Sequence, residues 1–166
     1  VAVHLSPDAP AVDILADIDA TANDEALRLA TNIAFTESCF IDGLPAPDAY
    51  TLSVVANADN NVVALQFPFA ATVDGAATAI VSGFLSSGIP AITALPLAVD
   101  PRSVVTEARL RLTHASPSTA DVDIYLLADG TDLNDMSVTP SFAAVPFGAD
   151  TGVLSIGAGT YDVYVT

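Results

Sequence analysis

The sequence has 166 residues, of which 52% are hydrophobic, so it is long enough and apolar enough to bury a core. It carries 20 Asp and Glu residues against four Lys and Arg, which gives a formal net charge of −16. Because nucleic acids and anionic lipids are bound through clustered basic side chains, this balance argues against both partners. All four basic residues are arginines, so chemistry that depends on a lysine is excluded.

Cysteine and histidine are also scarce. Cys39 is the only cysteine, and His4 and His114 are the only histidines, which excludes an intrachain disulfide and a Cys/His zinc site. The longest apolar stretches, near 76–85 and 89–99, are interrupted by Gly or Pro before the roughly 20 residues that a membrane-spanning helix needs. We therefore expect no membrane insertion by this segment.

The predicted elements are mostly short strands, because Val, Ile, Thr, Phe and Tyr recur in brief runs between Gly, Pro, Asn and Asp. After the first strand, which Pro7 ends, strand-like segments follow in chain order at 49–55, 62–70, 76–85, 91–99 and 108–114. Strands separated by turns at such short intervals predict an all-β fold of two tandem antiparallel Greek-key sandwiches, of the immunoglobulin or prealbumin type.

One segment, NDEALRLA at 23–30, predicts a short helical turn instead. Asn23 or Asp24 is a suitable cap, and Ala26, Leu27 and Leu29 follow within the turn.

Two anchors repeat along the chain. HLSPDAPAVDIL at 4–15 returns as HASPSTADVDIYL from position 114, and the segment at 43–55 returns at 155–166. The same order and nearly equal spacing predict a duplicated sandwich, with a complete copy at 1–101 and a second copy at 107–166. The second copy stops directly after its Tyr strand. We expect it to be C-terminally incomplete, either as a fragment or because strands from elsewhere complete it.

The first anchor repeats the same polar residues in both copies: His4, Ser6, Pro7 and Asp13, then His114, Ser116, Pro117 and Asp123. Proline ends the first strand, the serine hydroxyl can cap the turn, and an Asp inside a strand must be exposed or accept specific hydrogen bonds. A His-Asp pair for acid–base chemistry, or half a metal site, is the alternative. Since no repeated Ser, Cys or Lys stands in a nucleophile context, a structural role is favoured and an enzyme is not expected.

The second anchor places Tyr50 and Tyr161 after turns rich in Pro or Gly. This pattern is typical of a tyrosine corner, in which an inward-facing phenol bonds to the backbone a few residues upstream. Both tyrosines are therefore predicted to stabilise the fold rather than to bind a ligand.

An acidic loop follows the second strand of each copy, with Asp17, Asp19 and Asp24 in the first and Asp129, Asp132 and Asp135 in the second. Such oxygen donors can bind Ca²⁺, so calcium is the one cofactor considered. Neither loop has the EF-hand register, and solvated Asp-rich turns are the favoured interpretation.

Three of the four arginines, Arg102, Arg109 and Arg111, lie at the junction of the two copies. In a chain this acidic they are predicted to pair with Asp residues of the flanking domains and to set the angle between them. Binding of an anionic ligand is the alternative.

The two anchors resemble those of the bacterial and archaeal domain-of-unknown-function family 4397. HLSPDAPAVDI fits the family's opening motif closely, whereas copy two has Ser118, Thr119 and Ala120 in place of its Asp-Ala-Pro. The resemblance implies exported proteins with tandem copies and no assigned catalytic residues.

We therefore expect a non-catalytic extracellular module that acts as a structural, scaffold or adhesion part of a secreted or cell-surface protein. Its expected partners are other domains of the same protein or neighbouring copies, and strand addition between chains is one route to a filament. The alternative is a calcium- or glycan-binding module, although the chain has no Trp to stack on a sugar.

Overall fold

The computed structural model describes residues 1–18, 26–45, 48–86, 88–100, 102, 105–135 and 137–166, with 59–61 as backbone only. The chain divides into two compact units, which we call unit 1 (Val1–Pro101) and unit 2 (Arg102–Thr166). The regular structure of the described residues is all β, and the expected all-β class is confirmed. None of these residues forms a helix that is long and apolar enough to cross a membrane.

The described strands of unit 1 form two four-stranded sheets. Its strands are β1 (Ala2–Leu5), β2 (Val12–Asp17), β3 (Leu27–Ile33), β4 (Ser38–Cys39), β5 (Asp48–Ala56), β6 (Asp59–Ala71), β7 (Ala76–Ser82) and β8 (Thr93–Val99). The strand order is β4-β1-β7-β8 in one sheet and β3-β2-β5-β6 in the other.

The core of unit 1 lies between the two sheets. Alternation in β5 buries Tyr50, Leu52 and Val54 on one face, as the period-2 pattern predicts. Val54 packs in one cluster with Ala2 of β1 and Val81 of β7, which belong to the opposite sheet. Apolar residues from both sheets thus share one core, which makes unit 1 a β-sandwich.

The predicted helical turn at 23–30 is wrong in its described part. Leu27 and Leu29 belong to β3, which pairs antiparallel with β2 through partners such as Ala30 and Ile14. Asn23 and Asp24 lie outside the described residues. Pairing with β2 overrides the weak local preference for a helix, because the strand gains ladder hydrogen bonds and places Ala30 and Ile33 in the core.

One pairing departs from the antiparallel prediction. β1 runs parallel to β7, with Ala2 opposite Ala79 and Leu5 opposite Ser82, whereas β7 and β8 are antiparallel. The two parallel strands are far apart in sequence, and hairpin signals carry information only about neighbouring segments. This sheet is therefore mixed.

Unit 2 has fewer described strands: β9 (Glu107–Leu110), β10 (Val122–Ala128), β11 (Phe142–Val145), β12 (Leu154–Gly157) and β13 (Tyr161–Val165). They form a three-stranded sheet, β11-β10-β13, and a two-stranded sheet, β12-β9. Val122, Ile124 and Val145 form its core cluster.

The described strands of unit 2 correspond to only part of unit 1. Ile124 pairs with Val165 as Ile14 pairs with Val54, so β10 and β13 occupy the places of β2 and β5. In unit 1 the far side of β5 is covered by β6 and the far side of β1 by β7. No described strand of unit 2 takes the place of β6, β7 or β8, so β13 ends its sheet where β5 is internal.

Candidate functional site at the repeated His-Asp crossover

The candidate site is the segment that crosses from one sheet to the other, at 4–13 in unit 1 and 114–123 in unit 2; we call it the crossover. His4 is 1% exposed. Its Nδ1 accepts from the Ser6 backbone N–H at 3.3 Å, and its Nε2 lies 3.1 Å from the Pro10 carbonyl oxygen. These partners require the neutral ring with its proton on Nε2, which donates to Pro10.

His114 makes the same two contacts. The Ser116 N–H lies 3.4 Å from its Nδ1, and the Ala120 carbonyl oxygen lies 3.1 Å from its Nε2. Each imidazole therefore ties the start of the crossover to its middle in both units.

A phenylalanine packs edge-on against each imidazole. The ring centroids are 6.4 Å apart for His4 and Phe35 and 6.3 Å apart for His114 and Phe147. The next residue, Thr36 or Gly148, has a positive φ of 70° or 83°. Its N–H donates 2.8 Å to the histidine carbonyl in both units. The repeat of Phe at a similar interval after each histidine is a sequence signal for this contact, and it lies outside the two repeated anchors.

Asp13 is buried at the end of the unit 1 crossover. Its carboxylate accepts the Asn32 backbone N–H at 2.7 Å and the Asn57 side-chain amide at 2.7 Å, and it forms an ion pair with Arg28. Burial opposes ionisation, but the Asn32 N–H, the Asn57 amide and the Arg28 guanidinium outweigh it, so the pKa of Asp13 lies below its ordinary value. Arg28 and Asn57 are partners that sequence reasoning missed.

Asp123 repeats one of these bonds. It is half-buried and accepts the Ala144 backbone N–H at 2.7 Å. Asn32 and Ala144 both have positive φ, at 54° and 50°, and the strand register shifts beside each of them. Both aspartates thus satisfy the amide of a residue held in the left-handed region, a conformation that is uncommon without glycine.

In unit 1 the serine of the motif reaches a distant loop. The Ser6 hydroxyl donates to the Gly83 carbonyl at 2.7 Å, and it also lies 3.3 Å from the Asp8 carboxylate in its own turn. Gly83 has φ of 99°, and a Cβ there would lie 2.3 Å from the Ala91 carbonyl oxygen, so only glycine fits. This contact fastens the crossover to the loop between β7 and β8.

Asp8 fastens the same loop, and sequence reasoning gave it no role. Its carboxylate accepts the Leu85 N–H at 2.8 Å, the Ser86 N–H at 2.9 Å and the Ser86 hydroxyl at 2.6 Å. The Ser86 hydroxyl and these two amides lower the pKa of Asp8 to about 2.

Unit 2 has different residues at these positions. Ser116 is exposed, and its hydroxyl lies 2.7 Å from the Thr119 hydroxyl within the same turn. Ser118 stands where copy one has Asp8. Because no described strand of unit 2 corresponds to β7 or β8, there is no described loop for an Asp at 118 to hold. Copy two thus departs from the Asp-Ala-Pro motif in the unit where the loop that Asp8 binds has no described counterpart.

The two motif tyrosines differ in burial. The Tyr50 hydroxyl donates to the Pro45 carbonyl at 2.9 Å, five residues upstream, and the residue is 3% exposed. Burial, together with the Asp48 carboxylate, raises the pKa of this phenol. The Tyr161 hydroxyl donates to the Gly157 carbonyl at 3.2 Å, but Tyr161 is 37% exposed, so it does not face a core as predicted.

The acidic loop of unit 2 uses two of its carboxylates in local turns. Asp132 accepts the Asn134 N–H at 2.9 Å. Asp135 accepts the Ser137 N–H at 2.9 Å and its hydroxyl at 2.8 Å, and these bonds lower the pKa of Asp135.

The predicted calcium ligands are not brought together in the described part of the chain. Within it, no group of three or more His, Cys, Asp or Glu side chains is placed to hold a metal ion. This covers Asp17, at the end of β2, and Asp129, Asp132 and Asp135 of unit 2. Asp19 and Asp24 lie outside the described residues.

The junction arginines are all described. Arg111 Nε lies 3.5 Å from Asp150 Oδ1 within unit 2, Arg109 lies in β9, and Arg102 is exposed. Their role in setting an angle between domains stays a prediction.

Fold and site together define an all-β protein whose repeated polar motif binds its own backbone. The model of the family described as "Domain of unknown function (DUF4397)" matches residues 1–125, and the chain belongs to this family. The matched region covers unit 1 and extends through the second crossover into β10. No curated protein and no solved structure matches the chain significantly.

Proposed function

We propose that this chain is a non-catalytic extracellular β-sandwich module that forms a structural, scaffold or adhesion part of a secreted or cell-surface protein. The observation that carries the proposal is the repeated use of the motif side chains. In both units the imidazole and the carboxylate hold backbone amides and carbonyls of the crossover and its neighbours.

The same contacts argue against acid–base catalysis at the crossover. A general base needs one ring nitrogen within reach of a substrate, whereas both nitrogens of His4 and of His114 are engaged by backbone. Arg28, Asn32 and Asn57 likewise surround the carboxylate of Asp13. A catalytic His-Asp pair would need side-chain atoms that are accessible to a substrate, whereas these side chains bind other parts of the protein.

Strand addition is the mode of assembly that we propose for the module. Val163 and Val165 of β13 are exposed although they lie in a strand, and among the described strands β13 is at the edge of its sheet. An edge strand with apolar side chains is a template for pairing with another strand. Neighbouring copies, or other domains of the same protein, are the proposed partners.

The proposed function is tested by the location of the protein inside or outside the cell. Cells that make the protein are labelled with an antibody against the chain, intact and after permeabilisation, and the medium is assayed in parallel. We expect label on intact cells or protein in the medium. Label that appears only after permeabilisation, with none in the medium, would contradict the proposal.

A further inference from the structure

Two tyrosines lie side by side on the outer face of the three-stranded sheet of unit 2. Tyr125 of β10 and Tyr164 of β13 are directly opposite each other in the strand register. Ile124 belongs to the core cluster of unit 2 and pairs with Val165, so alternation directs both tyrosine side chains to the other face of the sheet. Tyr125 is half-buried and Tyr164 is 37% exposed.

Unit 1 has no aromatic residue at the equivalent positions. Leu15 of β2 and Ser53 of β5 form the corresponding pair. An aromatic pair across two strands adds to the stability of a sheet, but the sheet of unit 1 forms with Leu and Ser in its place. The fold therefore does not require aromatic rings here, and the tyrosine pair is specific to unit 2.

A carboxylate lies on each side of the tyrosine pair. Asp123 precedes Tyr125 by two residues, and Asp162 precedes Tyr164 by two residues, so all four side chains share the outer face. Because β10 and β13 are antiparallel, the two aspartates lie on opposite sides of the tyrosines, each about 7 Å along its strand. This distance is comparable to the width of one sugar ring.

Backbone amides orient both carboxylates. The Gly130 N–H donates to Asp162 Oδ2 at 3.2 Å, and the Ala144 N–H donates to Asp123 Oδ1 at 2.7 Å. Both aspartates are half-buried, whereas Asp13, the counterpart of Asp123 in unit 1, is 2% exposed. A carboxylate has a second oxygen with lone pairs, which accepts a hydroxyl group strongly.

These side chains have the chemistry that recognises a sugar. The face of an aromatic ring is electron-rich and attracts the C–H groups on one side of a pyranose ring, while carboxylates accept its hydroxyl groups. No basic residue stands at the outward positions 123, 125, 127, 162 and 164, and the chain has a net charge of −16, so an anionic ligand is repelled.

We propose that this outer face binds a neutral polysaccharide, with sugar rings stacked on Tyr125 and Tyr164 and with hydroxyl groups bonded to Asp123 and Asp162. The inference rests on the proposed function, because it names the ligand class for an adhesion module.

A β-1,4-linked glucan is the polymer that fits the face best. Its equatorial substituents leave C–H groups on both ring faces, and its chain is flat and extended. The Cβ atoms of directly opposite residues are about 5 Å apart, so the tyrosines contact one or two successive rings. A protein partner fits less well, because Leu127 is the only aliphatic residue at these outward positions.

The test uses the full 166-residue chain and cellohexaose, a soluble β-1,4-linked glucose oligomer. In an NMR titration we expect saturable shifts of the amides at 123–127 and 162–165. Oligogalacturonate, which carries a carboxylate on each ring, is the control ligand. It is expected not to bind, because Asp123 and Asp162 repel it.

Two exposed tyrosines of β13 provide a matched pair of variants. Tyr161 is also 37% exposed, but by alternation it belongs to the opposite face of the strand from Tyr164. Y164A is expected to weaken cellohexaose binding at least about fivefold, because it removes a stacking ring. Y161A is expected to leave binding unchanged, and Y164F is expected to retain it because the ring stays.

A second variant replaces the pair by the residues of unit 1. Tyr125→Leu combined with Tyr164→Ser is expected to abolish binding, whereas hydrogen-exchange protection in β10 should stay close to that of the unmodified chain. Loss of binding without loss of protection separates a role in recognition from a role in the sheet.

Four outcomes would overturn the inference: no saturable shifts, shifts confined to other parts of the chain, equal effects of Y164A and Y161A, or equal losses in Y164F and Y164A. A stable dimer without sugar that Y164A abolishes would also overturn it, since a second copy would then occupy the face. Failure of sugar binding with surface location intact removes only this inference. Intracellular location with sugar binding intact removes only the proposed function.

Discussion

The two units present the same crossover in different surroundings. In both, an imidazole bridges the crossover, a phenylalanine packs on it, and an aspartate binds an amide with positive φ. In unit 1 this segment connects two four-stranded sheets, whereas the described sheets of unit 2 have three strands and two. The crossover geometry is therefore specified by the motif and its loop, while its burial depends on the strands around it.

The contribution of each motif residue to stability should differ accordingly. The Asp13 carboxylate has partners in β3 and in the turn after β5, whereas the Asp123 carboxylate accepts the backbone N–H of Ala144 in β11. Paired substitutions in the two units compare the same interaction beside four-stranded sheets in unit 1 and beside smaller described sheets in unit 2. Hydrogen exchange measures the opening free energy of each unit separately within the same chain.

His4→Ala is expected to have the largest effect. It leaves the Ser6 N–H and the Pro10 carbonyl without their partner and creates a cavity, which should cost about 4 kcal/mol in unit 1. His114→Ala removes the same bonds in a unit that has fewer described strands, and about 2 kcal/mol is expected in unit 2. Equal losses of unfolding free energy in the two units would show that burial does not increase the contribution of the histidine to stability.

Asp13→Ala and Asp123→Ala form the second pair. Removal of Asp13 leaves Arg28 and two amide donors without their acceptor, and we expect a loss of about 3 kcal/mol. Removal of the half-buried Asp123 leaves one backbone amide, that of Ala144, without its acceptor. We expect a loss of about 1 kcal/mol. Exchange of the Asn32 and Ala144 amides should accelerate in the respective variants; unchanged exchange at both would contradict the assigned bonds.

Tyr50→Phe and Tyr161→Phe test the phenol bonds. The buried bond from Tyr50 to Pro45 is expected to contribute about 1 kcal/mol to unit 1. The longer bond of the exposed Tyr161 should contribute less than about 0.5 kcal/mol. A larger loss for Tyr161 would mean that it is covered in solution.

The Asp8 bonds predict an effect on one loop at low pH. Because the pKa of folded Asp8 is lowered from 3.8 to about 2, its stabilising contribution is complete above the unfolded pKa and is lost as the pH falls through about 2. Amide shifts of Leu85 and Ser86, followed by NMR, should therefore titrate with a midpoint near 2. The Asp8→Asn variant should lack this transition, and a midpoint near 3.8 in the unmodified chain would refute the assignment.

Local sequence patterns predicted the class of fold and the structural use of the motif. Pro7 and the alternation in β5 are local signals, and Asp13 inside a strand implied specific acceptor bonds, which the carboxylate makes. The partners of Ser6 and Asp8 could not be predicted in this way, because Gly83 and Ser86 are brought near by the parallel pairing of β1 and β7. The helical turn was wrong since pairing, not propensity, decides the conformation of β3.

The positive-φ residues Asn32 and Ala144 also affect how each molecule meets its neighbours in a crowded solution. They lie in β3 and β11, which are edge strands, and the register shift beside each one bends the strand out of regular pairing. A bent edge is a poor template for uncontrolled aggregation. The two bends thus protect one edge in each unit, β3 in unit 1 and β11 in unit 2, against unintended strand pairing.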